Sequence, residues 1–338
     1  MVSEKTDPRE VASHPRMQMG LIGHRDAEQR LLAAFQSGRM HHAWLITGPR
    51  GIGKATLAYR LARFVLHDGH SGSAAPTSLS VSADAPAARL MAAGAHPDLF
   101  VLQPQFDGKA VKTEIAVEDA RHLEEFFGLT AGLSRWRVVI VDAADRLNRE
   151  SANTLLKIAE EPPPNSLLIF VSHRGGRLLP TLRSRCISLP LSRLTPDDCE
   201  GVVRTGAASE GIADEDIREA VTLSRGSPGR AFEYLASAGA KVFAEFARNP
   251  QAGVTRAHEL SGRFAGRDTA GDFQVFGELL IDWLAAAAAS DCARPRGARL
   301  AEAHDAIVYS FRRTDALNLD RRQAAFDALL AIDRAMTA

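Results

Sequence analysis

A glycine-rich stretch near residue 50 has the composition of a phosphate-binding loop. It reads Gly48-Pro49-Arg50-Gly51-Ile52-Gly53-Lys54-Ala55 and lies between an apolar run and a helix-forming segment. Glycines let backbone N–H groups curl around phosphate oxygens, the following helix N-terminus adds positive potential, and Lys54 can reach the outer phosphates. Gly48, Gly51, Gly53 and Lys54 are therefore candidate nucleotide-binding residues. The alternative is a glycine-rich turn that happens to precede a helix.

The end of this loop departs from the nucleotide-binding pattern. A phosphate-binding loop usually ends in Ser or Thr, whose hydroxyl is a ligand of Mg²⁺, and here that position is Ala55. Thr56 follows, but one helical step rotates a side chain by about 100°, which should turn its hydroxyl elsewhere. Phosphate binding, with Thr56 as a further candidate, stays open, whereas the group that positions the metal is lost.

A second candidate site residue lies roughly 90 residues further along the chain. The β-branched run at 138–141 is followed by Asp142. A buried strand that ends in Asp is the usual second half of a P-loop site, where the carboxylate acts on Mg²⁺ directly or through water. Asp145 lies past the strand end, where a solvated helix-cap acid is favoured over a catalytic base.

Strands and helices alternate around these residues. Apolar or β-branched runs predict strands, and apolar residues at helical spacing predict helices. The predicted strands are 43–46, 99–103, 138–141, 167–171 and 186–191, and the predicted helices between them are 26–36, 54–66, 117–127 and 148–161. This alternation implies a doubly wound α/β domain with a parallel sheet. Strand signals vanish after residue 191, and the remainder is predicted to be helical.

The same patterns divide the chain into four segments. Residues 1–18 are polar and charged without apolar periodicity, which predicts a disordered tail. The α/β P-loop domain is predicted at 19–191, with a flexible insertion at about 67–97 that is rich in Ser, Ala, Gly and Pro. Helical domains are predicted at 192–240 and 241–338.

Composition limits the functions open to this chain. Its 338 residues suit two or three domains, and 41 basic residues balance 41 acidic ones. Zero net charge argues against a stand-alone nucleic-acid binder, although it does not exclude a local basic patch. Three widely spaced cysteines suggest no zinc site and no disulfide framework, and favour a reducing compartment. The N-terminus lacks the apolar core of a signal peptide, and the apolar stretch 279–289 is short for a membrane helix. We therefore expect a cytoplasmic protein without a membrane partner.

Five motifs occur together in an order and spacing that resembles one known family. They are His41-His42-Ala43-Trp44-Leu45, the phosphate loop, Val141-Asp142-Ala143-Ala144-Asp145, Asn153-Thr154-Leu155-Leu156-Lys157-Ile158-Ala159-Glu160-Glu161-Pro162-Pro163 and Ser184-Arg185-Cys186. They resemble the AAA+ clamp-loader family of bacterial DNA polymerase III, which comprises the gamma/tau motor subunits and the related delta-prime subunits. The resemblance implies an α/β AAA+ P-loop domain, a small helical lid domain at 192–240 and an all-α collar domain for oligomerisation at 241–338.

The resemblance also implies roles for two arginines. Arg185, flanked by Ser184 and Cys186, matches the triplet that offers an arginine finger to ATP on a neighbouring subunit. By composition alone, an arginine near a strand start is most often a surface or ion-pairing residue. Arg230 resembles the lid arginine that contacts nucleotide, one position later than in the motors. The implied partners are gamma/tau and delta subunits, with the sliding clamp and primer–template DNA contacted through the complex.

Departures from the motor subunits favour one branch of this family. The motors carry a hydroxyl where this chain has Ala55, a water-activating acid where it has Ala143, and a four-cysteine zinc module in the segment corresponding to 67–97. That segment has no cysteine here, and His67 and His70 alone are a poor zinc site. These losses fit the delta-prime branch, with no ATPase activity of its own, no required cofactor and no zinc. Whether the chain binds ATP or ADP without hydrolysing it stays open. The resemblance makes the chain a component of the polymerase assembly, and whether the chain is itself an enzyme also stays open.

Three alternative functions compete with this interpretation. An active AAA+ motor, either a gamma/tau-type ATPase or a branch-migration motor, is disfavoured by Ala55 and Ala143. A P-loop kinase would need an acceptor site and an acid or base near Lys54, and the sequence indicates neither. A simple DNA-binding protein would need a basic surplus and a recognisable reading element.

Overall fold

The chain is described here from a computed structural model. The described residues are 14–68, 76–104, 114–115, 117–128, 132–173, 176, 178–208, 211–251, 253–266 and 268–337. The chain forms two compact units. The first extends to Gly211 and includes Arg225–Gly229, and the second comprises Ile212–Ser224 and the chain from Arg230 onward.

A five-stranded parallel sheet forms the centre of the first unit. Its strands are β1 (Ala43–Thr47), β2 (Leu99–Leu102), β3 (Arg137–Asp142), β4 (Ser166–Ser172) and β5 (Ile187–Pro190). The strand order is β2-β3-β4-β1-β5, and every described pairing is parallel. All seven residues of β4 are buried, as expected for a central strand covered on both faces. The predicted parallel α/β sheet is confirmed.

Helices connect the strands of this unit. They are α1 (Arg25–Gln36), α2 (Lys54–Asp68), α3 (Pro86–Ala92), α4 (Val117–Gly128), α5 (Arg149–Glu160), α6 (Pro180–Arg183) and α7 (Pro196–Ala207). Local signals set two of the helix starts. The Asn148 side chain accepts a hydrogen bond from the Ser151 amide at the start of α5, and Thr195 accepts from the Asp198 amide at the start of α7. These caps satisfy amides that a helix leaves without partners in its first turn.

Parts of the two segments predicted to be disordered or flexible are ordered. Residues 1–13 of the predicted tail and 69–75 of the predicted insertion, including His70, lie outside the described residues. Pro15–Met17 form a 3₁₀ turn, and buried Arg63 donates hydrogen bonds to two carbonyls of this segment. In the insertion, α3 buries Met91. Its short, alanine-rich sequence lacks the periodicity that identifies a helix.

The second unit is helical throughout its described part. Its helices are α8 (Asp214–Ser224), α9 (Pro228–Ala236), α10 (Ala238–Arg248), α11 (Gly253–Gly262), α12 (Ala270–Ser290), α13 (Pro295–Leu317) and α14 (Arg321–Thr337). The first two residues of α9 belong to the first unit, which also contains α7. The predicted lid segment, 192–240, is therefore shared between the units.

Aromatic side chains form the core of the second unit. The ring centroids of Phe276 and Phe264 are 5.0 Å apart, and those of Phe273 and Phe311 are 4.8 Å apart. Phe273 and Phe276 are fully buried, so this face of α12 packs inside its own unit. Trp283, on the same helix, meets Phe246 edge to face at 5.3 Å. The sequence alone could not decide between such a core and an intersubunit contact.

One described helix, α12, is long and apolar enough to cross a membrane. It has 21 residues, and its most apolar window has a mean hydropathy of 1.2, with 33% of that window buried. The helix is longer than the apolar stretch recognised in the sequence. Its buried residues belong to the aromatic core, and core helices of water-soluble domains pass the same test, so α12 gives only weak support for a membrane role.

Candidate functional site

The candidate residues of the first unit divide between opposite edges of the sheet. The phosphate loop follows β1 and Asp142 ends β3, so both lie at the carboxyl edge. Arg185 precedes β5, whose Ile187 pairs with Trp44 near the amino end of β1. The five residues of β1, at about 3.3 Å each, span about 16 Å. The structure therefore brings Lys54 and Asp142 together and places Arg185 at the other edge.

The phosphate loop has a backbone that requires glycine. Gly48, Gly51 and Gly53 have φ angles of 146°, 76° and 98°, which residues with a side chain rarely adopt. A Cβ atom on Gly48 would lie 2.4 Å from the carbonyl oxygen of Leu191. The backbone can therefore pass close to the end of β5 only because residue 48 has no side chain.

Lys54 is folded back onto its own loop. Its Nζ donates a hydrogen bond to the Pro49 carbonyl at 2.5 Å, and the side chain is buried. Burial lowers the pKa of Lys54 to about 8, against the opposing effects of Asp142 and Asp145. Burial raises the pKa of Asp142 to about 6, and the charge of Lys54 opposes this shift. The two predicted residues are thus electrostatically coupled at one site.

A later segment of the first unit packs directly on the phosphate loop. The Ser227 hydroxyl donates to the Arg50 carbonyl at 2.7 Å, and the Gly229 amide donates to the Gly51 carbonyl at 2.8 Å. A Cβ atom on Gly229 would lie 2.7 Å from the Gly51 Cα, so this contact also requires glycine. Two carbonyls of the loop are fixed in this way.

Two of the groups that position Mg²⁺ and activate water in a P-loop site are replaced by alanine in this chain. Ala55 supplies no hydroxyl and Ala143 no carboxylate, and no described hydrogen bond involves the Thr56 hydroxyl. Asp145 accepts a hydrogen bond from the His173 amide at 2.9 Å. Burial would raise the pKa of Asp145, but that bond and the His173 ring hold it below its usual value. Asp145 therefore anchors the end of β4.

His173 belongs to this edge and was missed by the sequence reasoning. It follows β4, and burial lowers its pKa to about 4, with a further contribution from the charge of Lys54. The ring is therefore neutral at pH 7. Its place after a predicted strand, two residues beyond the register partner of Asp142, was the signal that could have identified it.

Arg185 lies in an open cavity of about 610 Å³ at the amino edge of the sheet. The cavity is lined by residues of three motifs and by the first residue of β5, namely His41, His42, Ala159, Glu160, Glu161, Ser184, Arg185, Cys186 and Ile187. The side chain of Arg185 is 36% exposed, and its Nη2 lies 2.6 Å from Glu160 Oε1. Its Nη1 donates to the Thr181 carbonyl at 2.9 Å. The charged end of Arg185 thus reaches the surface while two anchors hold it.

The residues on either side of Arg185 have structural contacts. The Ser184 hydroxyl donates to the Thr181 carbonyl at 2.9 Å, and the Cys186 thiol donates to the Leu182 carbonyl at 3.3 Å. Burial raises the pKa of Cys186 to about 12, so the thiol stays protonated at neutral pH. Arg185 is therefore the member of the triplet that can offer charge to a ligand.

Arg230, the remaining predicted site residue, lies in the second unit. Its guanidinium lies 5.4 Å from the ring centroid of Tyr234 and 3.5 Å from a carboxylate oxygen of both Glu278 and Asp282. The two acids are one turn apart on α12. The described contacts of Arg230 thus join two helices of the helical unit, and its contact with nucleotide stays a prediction.

The fold resembles that of one solved bacterial protein structure. A DNA polymerase III gamma subunit-related protein from Thermotoga maritima superposes with a TM-score of 0.52, covering 90% of this chain and 99% of the other. The two sequences are 15% identical, so the likeness is one of fold. A parallel sheet with a phosphate loop after its first strand defines a P-loop α/β fold, and the second unit of the chain is helical.

The family model described as DNA polymerase III, delta subunit, matches residues 23–195. The chain belongs to this family. The DNA polymerase III subunit delta' of Pseudomonas aeruginosa is 36% identical over 189 residues, which are 55% of this chain and 53% of that protein. The subunit delta' of Escherichia coli is 34% identical over 203 residues, or 60% of this chain and 57% of that protein. The matched region spans little more than half of these relatives.

Proposed function

We propose that this chain is the non-motor delta-prime subunit of a DNA polymerase III clamp loader, and that it lends Arg185 to ATP bound by a neighbouring motor subunit. In this role it helps the ATP-dependent loading of the sliding clamp onto primed DNA in the cytoplasm. Its partners are gamma/tau and delta subunits, and it contacts the clamp and the DNA through the complex. The carrying observation is that Arg185 lies at the surface, at the sheet edge remote from its own phosphate loop.

The chemistry at each edge supports a role in trans. A guanidinium presents a planar array of donors that suits phosphate oxygens. An arginine supplied by a neighbouring subunit accelerates phosphoryl transfer by ~10³–10⁵ because it stabilises charge that develops in the transition state. The carboxyl edge has Lys54 and Asp142 but neither a hydroxyl at 55 nor an acid at 143. We infer that the chain needs no cofactor and no zinc, and that any ATP or ADP it binds is not hydrolysed.

The helical unit supports the proposed collar at 241–338. Tyr309 and Leu317 are separated by two turns of α13, and they are 68% and 60% exposed. Residues eight positions apart share one face of a helix. Large apolar side chains on one face, outside the aromatic core, suit contacts with the corresponding region of another subunit.

The proposal is tested by reconstitution with motor and delta subunits. The complex should form with a defined mass, and Arg185→Ala should leave that mass unchanged while lowering ATP hydrolysis at the adjacent motor by ~10³. Arg183→Ala is the matched control, because Arg183 is exposed at the end of α6, two residues before Arg185. Equal ATPase activity of the Arg185→Ala and wild-type complexes would remove the finger assignment. Motor-like turnover by the purified chain would instead favour the active-motor alternative.

A further inference from the structure

We propose that Glu160 is a positioning residue that holds the guanidinium of Arg185 ready for the neighbouring subunit. The inference rests on the proposed function, because orienting Arg185 matters only if this arginine acts in trans. It concerns the ion pair between Arg185 Nη2 and Glu160 Oε1, at 2.6 Å, beside the open cavity.

Two contacts fix the plane of the guanidinium. Glu160 binds at one terminal nitrogen, and the Thr181 carbonyl accepts from the other at 2.9 Å. A planar group held at two different nitrogens cannot rotate freely about the end of its long side chain. A guanidinium has five N–H groups, so the contacts seen in the described chain leave others for a ligand. Glu160 and Thr181 therefore orient Arg185 without using up its donors.

The end of α5 fixes Glu160 itself. This helix ends at Glu160, and the Ala159 carbonyl lies 3.0 Å from the His42 Nε2. Burial lowers the pKa of His42, and the neighbouring His41 ring lowers it further. A neutral His42 ring can therefore donate its Nε2–H to the Ala159 carbonyl. A carboxylate at the negative end of a helix is electrostatically unfavourable by itself. The positive charge of Arg185 therefore stabilises the carboxylate of Glu160 at this helix end. The motifs that contain His42, Glu160 and Arg185 are distant in sequence and meet here.

This ion pair is too exposed to matter much for folding. The side chains of Arg185 and Glu160 are 36% and 43% exposed, and pairs of that kind contribute little to stability because solvent screens them. A structural role and a positioning role thus give different results. Loss of Glu160 should leave folding and assembly intact but slow the step that needs an oriented Arg185.

The test compares variants of Glu160 in the complete reconstituted clamp loader. Glu160→Ala should lower the kcat for ATP by about tenfold with an unchanged KM, since small misplacements of a catalytic group cost up to about 10² in rate. Glu160→Asp, which keeps the charge, should recover part of the loss. Glu161→Ala is the matched control, because Glu161 follows directly and lines the same cavity without an ion pair in the described structure. The mass of the complex is measured for each variant.

A double-variant experiment separates this inference from the proposed function. In complexes that carry Arg185→Ala, adding Glu160→Ala should have no further effect on kcat. Unchanged or raised kcat for Glu160→Ala alone, or an equal loss in both backgrounds, would overturn the role of Glu160. If Arg185→Ala itself has no effect, the finger assignment fails, and the inference fails with it for a different reason.

Discussion

Replacing Asp98 by Asn should destabilise the first unit by loosening the loop before β3. Asp98 is buried, and its carboxylate accepts hydrogen bonds from the amides of Gly132, Leu133 and Ser134 at 2.6, 2.8 and 2.8 Å. Hydrogen bonds to a charged group contribute about 1.5–3 kcal/mol each. The side-chain amide of Asn has one acceptor oxygen, and its NH₂ group would face backbone N–H groups that can only donate. At least one bond is lost and the others weaken, so we expect a cost of about 3 kcal/mol.

Urea unfolding measures this cost globally, and hydrogen exchange measures it locally. With a urea m-value of about 2 kcal/mol/M, the unfolding midpoint should fall by about 1.5 M. The amides of residues 132–134 should exchange faster than in the wild type. Asp84→Asn is the control, because Asp84 is exposed. A variant of Asp98 with the midpoint and the exchange rates of this control would refute the reasoning.

The same prediction has a definite pH dependence. Burial would raise the pKa of Asp98, but the three amides hold it below its usual value. The carboxylate therefore contributes its stability above the unfolded pKa of about 3.9, and the contribution is lost as the pH falls through the folded pKa. The stability difference between wild type and Asp98→Asn should be constant at pH 6–7 and narrow below about pH 4.

Two further substitutions test the carboxyl edge. Asp142→Asn should raise the stability of the first unit at pH 7. The pKa of Asp142 is about 6 in the folded state and about 3.9 in the unfolded state. The protonated carboxyl therefore contributes stability below about pH 3.9, and this contribution is lost as the pH rises through about 6. Thermal melts from pH 4 to 8 should show the gain shrinking toward acid pH, and a constant or inverted difference would contradict it. Gly229→Ala should cost about 1–3 kcal/mol, because the new Cβ meets the Gly51 Cα at 2.7 Å. Calorimetry measures that cost by comparing Gly229→Ala with Gly271→Ala, since a Cβ atom at residue 271 would meet no other atom. Equal melting temperatures of the two variants would show that the phosphate loop moves to accommodate the new side chain.

The predictable part of the fold depended on strong periodicity. The β-branched run of β3 and the capped start of α7 were recognisable because local chemistry alone determines them. The turn at Pro15–Met17 and helix α3 were not, since they are stabilised by burial and by a distant arginine, Arg63, and not by their own sequence pattern.

The candidate site was predictable at the level of motifs but not of contacts. Parallel strands with known ends imply that Lys54 and Asp142 meet, and they do. The hydrogen bond from Ser227 to Arg50 joins residues 177 positions apart, and the acids that face Arg230 lie on a helix about 50 residues later. No local pattern encodes such pairings, because tertiary packing determines them.

The most direct measurement compares two variants of this chain in otherwise identical reconstituted clamp loaders. Lys54→Met removes the lysine charge from this chain's phosphate loop, and Arg185→Ala removes the arginine charge at the opposite edge of the sheet. If the chain works by lending an arginine, the first complex should hydrolyse ATP at the wild-type rate and the second should be strongly impaired. An ATPase that collapses with Lys54→Met and survives Arg185→Ala would show that the chain splits nucleotide in its own pocket.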